Sequence, residues 1–372
     1  MKLGRNKICW CGSGKKYKKC HLNRDQQKPI GIGEAHKATK NLKSNRYCSV
    51  PNALKDKCTN KIINAQTVSK SSSLAEIADD TNHVLGLKVS MSALTKNGGV
   101  IRPEKIGINQ ASTFKGFCSH HDKSLFACIE DEEFSKTNEQ LFALVYRAVC
   151  KELYAKNSST EISELLKSAD KGKDIINQIA IQEMASGFGI GTDTALKELN
   201  DFKVLLDESL VNNTALDMCH IIVSSSSPCP VSVSSILAPD VDFEGKQIQD
   251  LSNLKVVPEG VIFNSFSSDG NGYIVFSWLK SSIIISNFIE TLVNQSANSV
   301  FNALLRFFFS VSENIYISPV WWESLTEELR STLTKRIMIG VSPFVPHDNA
   351  YLTDDGYVYN GWTIESIEKI NF

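Results

Sequence analysis

The sequence predicts an α+β fold divided among several domains. Its 372 residues are enough for about two or three domains that each bury a core. Apolar residues recur at helical spacing after Thr137, whereas the apolar segments after Leu216 are short, rich in branched and aromatic residues, and bounded by Ser, Pro and Gly. Most cysteines and histidines instead fall within the first 121 residues, where they indicate small modules built on metal.

The first predicted element is a metal-binding knuckle at residues 1–24. The stretch from Gly4 to Leu22 has the spacing C-x-C-x8-C-H, and three thiolates with one imidazole complete the tetrahedral shell that Zn²⁺ prefers. Gly12 and Gly14 allow the positive φ angles with which the chain can fold back around the ion. Because so short a segment has no core of its own, the metal would supply its folding energy. The expected ligands are Cys9, Cys11, Cys20 and His21.

This stretch resembles the SEC-C motif, the zinc-binding tail of the preprotein translocase ATPase SecA, which also occurs in many other bacterial proteins. The shared residues are GR-N at the start, CGSGKKYK in the middle and the final Cys-His pair. Trp10 stands where the family usually has proline, which changes the turn but none of the ligands. In SecA the module docks on a partner chaperone and approaches membranes or ribosomes, so the resemblance implies docking rather than a reaction.

The charge of the chain is strongly asymmetric, although its net value is −1. Residues 1–70 contain 17 Lys and Arg but three Asp and Glu, a net charge of +14, so the remainder carries −15. A basic head on an acidic body indicates a polyanionic partner, which would be RNA, DNA, a ribosome or an acidic protein face. The alternative is a lysine-rich segment that is merely solvated, since aromatic residues for stacking on single-stranded bases are sparse there.

A polar, lysine-rich linker predicted at residues 25–46 leads to a second Cys/His module at residues 47–135. A C-x9-C pair there surrounds a turn, and a C-x-x-H pair follows sixty residues later. A Cys₃His shell around a second Zn²⁺ would make this a zinc-finger or treble-clef-like module. The expected ligands are Cys48, Cys58, Cys118 and His121, with His120 as a competing fourth ligand. The alternative is that these cysteines are small buried apolar side chains.

The order of features in this second module distantly resembles the HNH or ββα-metal nucleases that a structural zinc stabilises. A Cys pair is followed by an apolar strand from Ile62, a short polar signature, and N-x-x-x-x-F-x-x-F-C-x-x-H from Asn109. In such nucleases a strand ends in a histidine that activates water, and a later helix carries a histidine that ligates the catalytic metal. That chemistry requires a base for the proton and a metal for the departing phosphate oxygen.

The chain departs from the nuclease pattern at the expected base. Gln66 follows Ala65 where the family has Ala-His, and a glutamine amide cannot accept a proton at neutral pH. Three interpretations stay open: the resemblance is spurious, the site binds without catalysing, or His83 supplies the missing group. The sequence therefore assigns no catalytic residue.

The rest of the chain is predicted as a helical region at residues 136–215 and an α+β domain at residues 216–372. Helices are expected from Thr160 to Met184 and from Asp193 to Leu210, with the glycines of GFGIG connecting them. A hairpin turn is expected at residues 268–272, since Asn and Gly tolerate positive φ. The expected strands are Cys219 to Val223, Val231 to Leu237, Val261 to Phe266 and Tyr273 to Trp278.

Several features of the C-terminal half are expected to be structural. Cys219, His220 and Cys229 lie in apolar segments and are interpreted as core side chains rather than ligands. The Trp321-Trp322 pair is expected to pack against the core, with a docking patch as the alternative. The long apolar segment from Ile283 to Val311 is interrupted by polar and charged residues, so a buried helix pair is expected there rather than a membrane span. No secretory leader is recognisable, so a cytoplasmic protein is expected.

The sequence as a whole favours a bacterial zinc protein that binds rather than catalyses. The combination of A-x-T-V-S-K-S-x-S-L, F-x-G-F-C-x-x-H-D and E-N-x-Y-x-x-P-x-W-W resembles bacterial proteins that carry a SEC-C motif, which implies an accessory or defence locus but no activity. We expect two Zn²⁺ ions and a basic head that docks on a nucleic acid, ribosome or protein. The alternative is a metal-dependent HNH-like nuclease. Motifs of other enzyme classes are absent from the sequence, since no G-x-S-x-G, H-E-x-x-H or dinucleotide-binding fingerprint occurs.

Overall fold

Helices and strands both contribute substantially to the fold in a computed structural model of the protein. This mixed content confirms the predicted α+β class. The structure describes residues 3–31, 33–34, 45–59, 61–88, 96–341 and 348–372. Residues 32 and 35–44 of the predicted linker lie outside the described residues. The α-helices of six or more residues are α1 Ser119–Glu130, α2 Asn138–Lys167, α3 Ile175–Asn212, α4 Ile283–Val293, α5 Ala297–Val311, α6 Pro319–Ser324 and α7 Glu327–Val341. The strands are β1 Ala65–Gln66, β2 His83–Leu87, β3 Pro103–Gly107, β4 Thr113–Phe114, β5 Met218–Ser225, β6 Val231–Leu237, β7 Val261–Ser268, β8 Asn271–Leu279, β9 Ile315–Ile317 and β10 Ser366–Ile370.

The chain divides into two compact units, and neither is continuous in sequence. The small unit comprises Met1–Arg46 and Leu153–Asp201, and the large unit comprises Tyr47–Glu152 and Phe202–Phe372. Helices α2 and α3 each contribute residues to both units. The contacts therefore group the chain differently from the five consecutive segments that the sequence predicts.

An eight-stranded antiparallel sheet forms the centre of the large unit. Its strand order is β10-β5-β8-β7-β6-β9-β2-β3. All four predicted strands lie in it, as β5 to β8, and their observed bounds are close to the expected ones. The predicted hairpin turn joins β7 to β8, with positive φ at Asp269 and Gly270. Strands β2 and β3 join the same sheet, although the sequence places them in the second Cys/His module.

One face of this sheet is covered by α4, α5 and α7, which provide the main apolar core. Alternate residues of the central strands point into that core, as expected for a sheet with one apolar face. Trp321 is also buried there, and its indole Nε1 donates to the carbonyl of Asn360 at 2.6 Å. The interpretation of this tryptophan as a core residue is thereby confirmed. The largest fully buried core aromatics are Trp278, Phe263, Phe276, Phe288, Phe307, Phe308 and Phe309.

The opposite face of the sheet packs against the beginning of α2. Leu141 and Leu144 of that helix contact Ile222 of β5 and Val275 of β8. His220 also lies on this face, where its Nδ1 is 2.8 Å from the hydroxyl of Ser277. Cys219 and Cys229 are buried in the main core, so the interpretation of all three residues as core side chains is confirmed.

Helix α3 is continuous where the sequence predicts a break. It runs from Ile175 to Asn212 through Gly187 and Gly191, so the expected connector at GFGIG is wrong. A glycine inside a helix costs about 1 kcal/mol relative to alanine. Helix formation is cooperative, and the strong helix formers on both sides of the glycines outweigh that cost.

None of the helices among the described residues is both long enough and apolar enough to span a membrane. The apolar segment that begins at Ile283 forms α4 and α5, as the expected buried helix pair.

Candidate metal centres

The first Cys/His cluster is built by a tight turn in the SEC-C-like stretch. The amide of Cys9 donates to the carbonyl of Lys15 at 2.8 Å, and the amide of Tyr17 donates to that of Lys7 at 2.8 Å. Gly12 and Gly14 have φ angles of 73° and 68°, as the sequence predicts, and these angles reverse the chain. The turn brings the first two cysteines beside the Cys-His pair that ends the motif.

Four potential ligands converge at this turn. His21 Nδ1 lies 3.3 Å from the sulfur of Cys9 and 3.2 Å from that of Cys20. The sulfurs of Cys11 and Cys20 are 3.5 Å apart. All four donor atoms lie within 4.8 Å of one another, so the structure brings together the complete set that the spacing predicts.

The electrostatics of these thiols suit a cation. Burial, together with the neighbouring Cys11 and Cys20, raises the pKa of the Cys9 thiol to about 11. Burial also tends to raise the pKa of Cys11, but hydrogen bonds from the hydroxyl and backbone of Ser13 outweigh it, so that pKa is lowered. A divalent cation would offset the repulsion among neighbouring thiolates.

The second Cys/His cluster belongs to the large unit and joins three separated segments. A 3₁₀ turn at Asn52–Lys57 connects Cys48 to Cys58. Cys118 lies at the N-terminus of α1, and the first turn of that helix carries His121. The short ribbon of β1 and β4 leads into this helix, and the amide of Ile63 donates to the carbonyl of Phe117 at 3.0 Å.

The second cluster is arranged around one imidazole nitrogen. His121 Nδ1 lies 3.5 Å from the sulfur of Cys48, 3.4 Å from that of Cys58 and 3.2 Å from that of Cys118. The four donor atoms lie within 4.8 Å of one another. His120 is exposed, and its ring meets that of His121 edge-on, with ring centroids 5.0 Å apart. The geometry therefore selects His121 over His120 as the fourth donor.

The helix terminus favours a thiolate at Cys118. Burial alone would raise the pKa of this thiol, but backbone hydrogen bonds from His121 and Thr59 and the hydroxyl of Thr59 lower it to about 6. The N-terminus of α1 also favours negative charge. The pKa of Cys58 is instead raised to about 12 by burial and by its proximity to Cys48 and Cys118. As in the first cluster, a cation would relieve this repulsion.

The donor set and the spacing of both clusters fit Zn²⁺. Tetrahedral thiolate and imidazole ligands about 2.0–2.3 Å from zinc lie roughly 3.3–3.8 Å apart. The observed separations of 3.2–3.5 Å in both clusters are close to this range. Three thiolates and one histidine also complete a closed shell, which is typical of structural rather than catalytic zinc.

Polar side chains outside the predicted ligand sets support each cluster. Nε2 of His21 lies 2.7 Å from a carboxylate oxygen of Asp170, which is fully buried. Near the second cluster, the ammonium of Lys203 donates to the carbonyl of Ser49 at 2.9 Å and to the hydroxyl of Tyr146 at 3.0 Å. Sequence reasoning missed both, because Asp170 is 149 residues from His21 and Lys203 is 154 residues from Ser49.

The nuclease resemblance of the second module is not confirmed by this geometry. Gln66 is on β1, and its amide nitrogen donates to the carbonyls of Ile108 at 3.0 Å and Ala111 at 3.1 Å. His83 is on β2 of the large sheet, where its Nδ1 lies 2.7 Å from the carbonyl of Thr81. Neither side chain belongs to a Cys/His cluster in the described chain, so neither lies at the second cluster as the base that the nuclease pattern requires.

Comparison with known proteins identifies the first cluster. Residues 5–23 match the family described as the SEC-C motif. The same region is similar to the protein translocase subunit SecA of Pseudomonas savastanoi pv. phaseolicola and of Pseudomonas syringae pv. syringae, with 80% identity over 21 residues in each case. These matches cover 6% of this chain and 2% of each relative. No solved structure matches the chain.

Proposed function

We propose that this chain is a zinc-binding protein that holds one structural Zn²⁺ ion in each Cys₃His cluster and docks through its basic head onto a polyanionic partner. The observation that carries the proposal is the convergence of two complete Cys₃His sets, each around one imidazole nitrogen. Because both shells are closed by four side chains of the chain itself, neither leaves a position for substrate. Binding therefore fits the two clusters better than hydrolysis.

The surface of the first cluster supports docking. Six cationic side chains of the knuckle are exposed, and none of them has an acidic partner among the residues that the structure describes. They are Arg5, Lys7, Lys15, Lys16, Lys18 and Lys19. Ile8 lies among them and is 64% exposed. An apolar side chain exposed on a cationic segment favours an acidic protein surface, because a phosphate backbone would contact the cations but not Ile8.

Zinc content per chain tests the metal part of the proposal. We expect two zinc ions in the wild-type protein and one in each of the variants Cys9→Ser and Cys118→Ser, measured by elemental analysis after gel filtration. Cys219→Ser is the matched control, since this thiol is buried in the apolar core and belongs to neither cluster. A single zinc that only Cys9→Ser removes would eliminate the second site.

Neutralising lysines tests the docking part of the proposal. We compare the triple variant Lys15→Gln, Lys16→Gln, Lys18→Gln with a control that changes three exposed lysines of the large unit, Lys255, Lys280 and Lys335, in the same way. Capture of partners from a bacterial lysate should be lost only in the knuckle variant, and it should weaken with salt.

Ribosomes and RNA and DNA oligonucleotides provide the nucleic-acid arm of this test. For duplex DNA each lost phosphate contact should reduce the slope of log K against log salt by about 0.9. Equal capture by both triple variants would contradict docking through the knuckle.

A further inference from the structure

Asp170 is a buried carboxylate that contacts Nε2 of His21, whereas the thiols lie at Nδ1 of the same ring. One oxygen lies 2.7 Å from His21 Nε2 and 2.8 Å from the amide nitrogen of Gln182. The other accepts from the guanidinium of Arg24, at 2.7 Å from Nε and 2.6 Å from Nη2. Asp170 is 0% exposed, so these partners, rather than water, compensate the buried carboxylate.

This contact fixes the state of the imidazole. A carboxylate at Nε2 holds the proton on that nitrogen, which leaves the lone pair of Nδ1 directed toward the sulfurs of Cys9 and Cys20. Histidine ligands of metals generally donate their second N–H to such an outer partner, which orients the ring and makes it a stronger donor. Asp170 occupies the place of that partner.

The small unit has few apolar side chains to stabilise it otherwise. Among its described residues, the buried polar side chains are His21, Asp170, Gln178, Gln182 and Thr192, and the buried apolar ones besides Cys9 are Leu153, Ala185 and Leu199. A segment without an apolar core usually depends on bound metal for its folded state. The hydrogen bonds around Asp170 connect the first cluster directly to residues 153–201 of the same unit.

The backbone is also closely packed at this junction. The amide of Gly172 donates to the carbonyl of Arg24 at 3.0 Å. Gly172 has φ 72°, and a Cβ atom at this position would lie 2.8 Å from the carbonyl of Gln27. The knuckle and the residues that follow it thus pack against the segment that follows α2. This close contact leaves no room for a side chain at Gly172.

We propose that Asp170 is the outer-shell carboxylate of the first metal centre, and that the ion bound there holds the N-terminal head on residues 153–201 and so stabilises the small unit. This inference rests on metal occupancy of the first cluster, which is part of the proposed function. It makes the SEC-C knuckle of this chain a fixed part of a folded unit rather than a freely moving tail. A partner would then meet the lysines of the knuckle in one defined orientation.

The rate of zinc release tests the role of Asp170. The full-length zinc-loaded protein is mixed with excess EDTA, and released zinc is followed for the wild type, Asp170→Asn and the control Asp25→Asn, which removes an exposed carboxylate of the same unit. Loss of such a partner typically costs about 10–100-fold in metal affinity, so we expect one zinc equivalent to leave Asp170→Asn faster by about that factor, while the other equivalent leaves at the wild-type rate. Asp25→Asn should behave like the wild type.

Two structural measurements separate this role from general destabilisation. The Nε2 proton of His21, observed by NMR of ¹⁵N-labelled protein, should be strongly deshielded in the wild type and move upfield in Asp170→Asn. Hydrogen exchange measured by mass spectrometry should accelerate across residues 153–201 in Cys9→Ser but stay unchanged across residues 216–279. Wild-type protein from which EDTA has removed part of the zinc should show the same pattern. This measurement tests the proposal even if the variant fails to fold.

The outcomes distinguish this inference from the proposed function. If the wild-type protein holds no zinc that Cys9→Ser removes, the proposed function fails at its first site. If that zinc is present but leaves Asp170→Asn at the wild-type rate, Asp170 is not its outer-shell partner. Unchanged exchange of residues 153–201 after that zinc is lost would overturn the coupling of metal to the small unit.

Discussion

At the scale of single residues, His220 shows how burial controls a titratable group within the sheet. Burial lowers the pKa of this histidine to about 4, and its Nδ1 lies 2.8 Å from the hydroxyl of Ser277. An unfolded histidine has a pKa of about 6.5, so the unfolded chain takes up the proton first as the pH falls. The contribution of neutral His220 to stability is therefore complete above about pH 6.5 and decreases toward pH 4.

We predict that His220→Gln removes this pH dependence. Each pKa unit between the folded and unfolded states corresponds to about 1.4 kcal/mol. Protonation should therefore cost the wild-type protein about 3 kcal/mol of unfolding free energy by pH 4. Glutamine can still bond Ser277 but does not titrate. Urea unfolding at several pH values between 7 and 4 should show the wild type losing stability relative to the variant. Because both proteins keep both clusters, acid release of metal cancels in the comparison. Parallel curves for the two proteins would contradict the prediction.

Residue types and spacing were sufficient to predict the six cysteines that converge in the two clusters and the histidine of the first cluster, His21. The choice between His120 and His121 needed the structure, since both are three residues or fewer from Cys118 and only helix geometry directs one ring to the thiols. Asp170 gave no signal in the sequence. It is 149 residues from His21, and an isolated aspartate has no motif around it.

At the scale of elements, two glycines in helices should respond in opposite ways to alanine. Gly187 lies in α3, and a Cβ atom there would meet nothing within 4 Å. Alanine should therefore raise helix stability by about 0.5–1 kcal/mol, the usual difference between these residues in a helix. We expect slower hydrogen exchange around residue 187 and a higher Tm for the small unit. A loss of stability instead would show that this face of α3 is packed in solution.

Gly340 of α7 should show the reverse, although its own helix would also favour alanine. A Cβ atom at this position would lie 2.4 Å from the carbonyl oxygen of Ser310 in α5. The backbone cannot yield as a flexible side chain would, and overpacking costs about 1–3 kcal/mol. Since the gain in helix propensity is about 1 kcal/mol, we predict a net loss of up to about 2 kcal/mol.

Urea unfolding of Gly340→Ala, with Gly187→Ala as the matched control, measures this balance. A stability of Gly340→Ala equal to or above the wild type would show that the two helices separate without cost.

The strands that the sequence predicted are those with clear composition. Strands β5 to β8 are rich in Val, Ile and aromatic residues and have turn residues at their ends. Three of the missed strands are short or polar: β9 has three residues, β3 begins with Pro103, and β10 is the half-exposed edge Ser366–Ile370. Such strands are defined mainly by their pairing with neighbouring strands, and local composition does not record that pairing.

At the scale of the whole molecule, the segments that pack together are not consecutive in the chain. The small unit joins the N-terminal head to residues from the middle, and the sheet of the large unit takes β2 and β3 from the second Cys/His module. A division of the sequence by composition treats these segments as separate domains, because it contains no information about long-range contacts. The α+β class does not depend on that division, since it depends only on which elements occur.

This organisation predicts how the protein responds when all metal is removed. The sheet has a continuous apolar core around Trp278 and Phe307 that contains no ligand of either cluster. Apolar burial on this scale stabilises a fold without metal, whereas we expect the knuckle and the second cluster to depend on the ions proposed for them. Excess EDTA should therefore leave residues 216–341 folded while residues 3–31, 45–59, 115–121 and 153–201 lose hydrogen-exchange protection.

Near-ultraviolet circular dichroism reports the sheet in this experiment, because Trp278 is fully buried among aromatic side chains. We expect its signal to persist in EDTA and to disappear only at a separate, higher thermal transition. Restoring Zn²⁺ should recover protection in the metal-dependent segments with a stoichiometry of two ions per chain. The contrary outcome is a single thermal transition, shared by the sheet and the knuckle, whose Tm EDTA lowers. The sheet core would then be insufficient on its own, and the metal centres would stabilise the whole molecule.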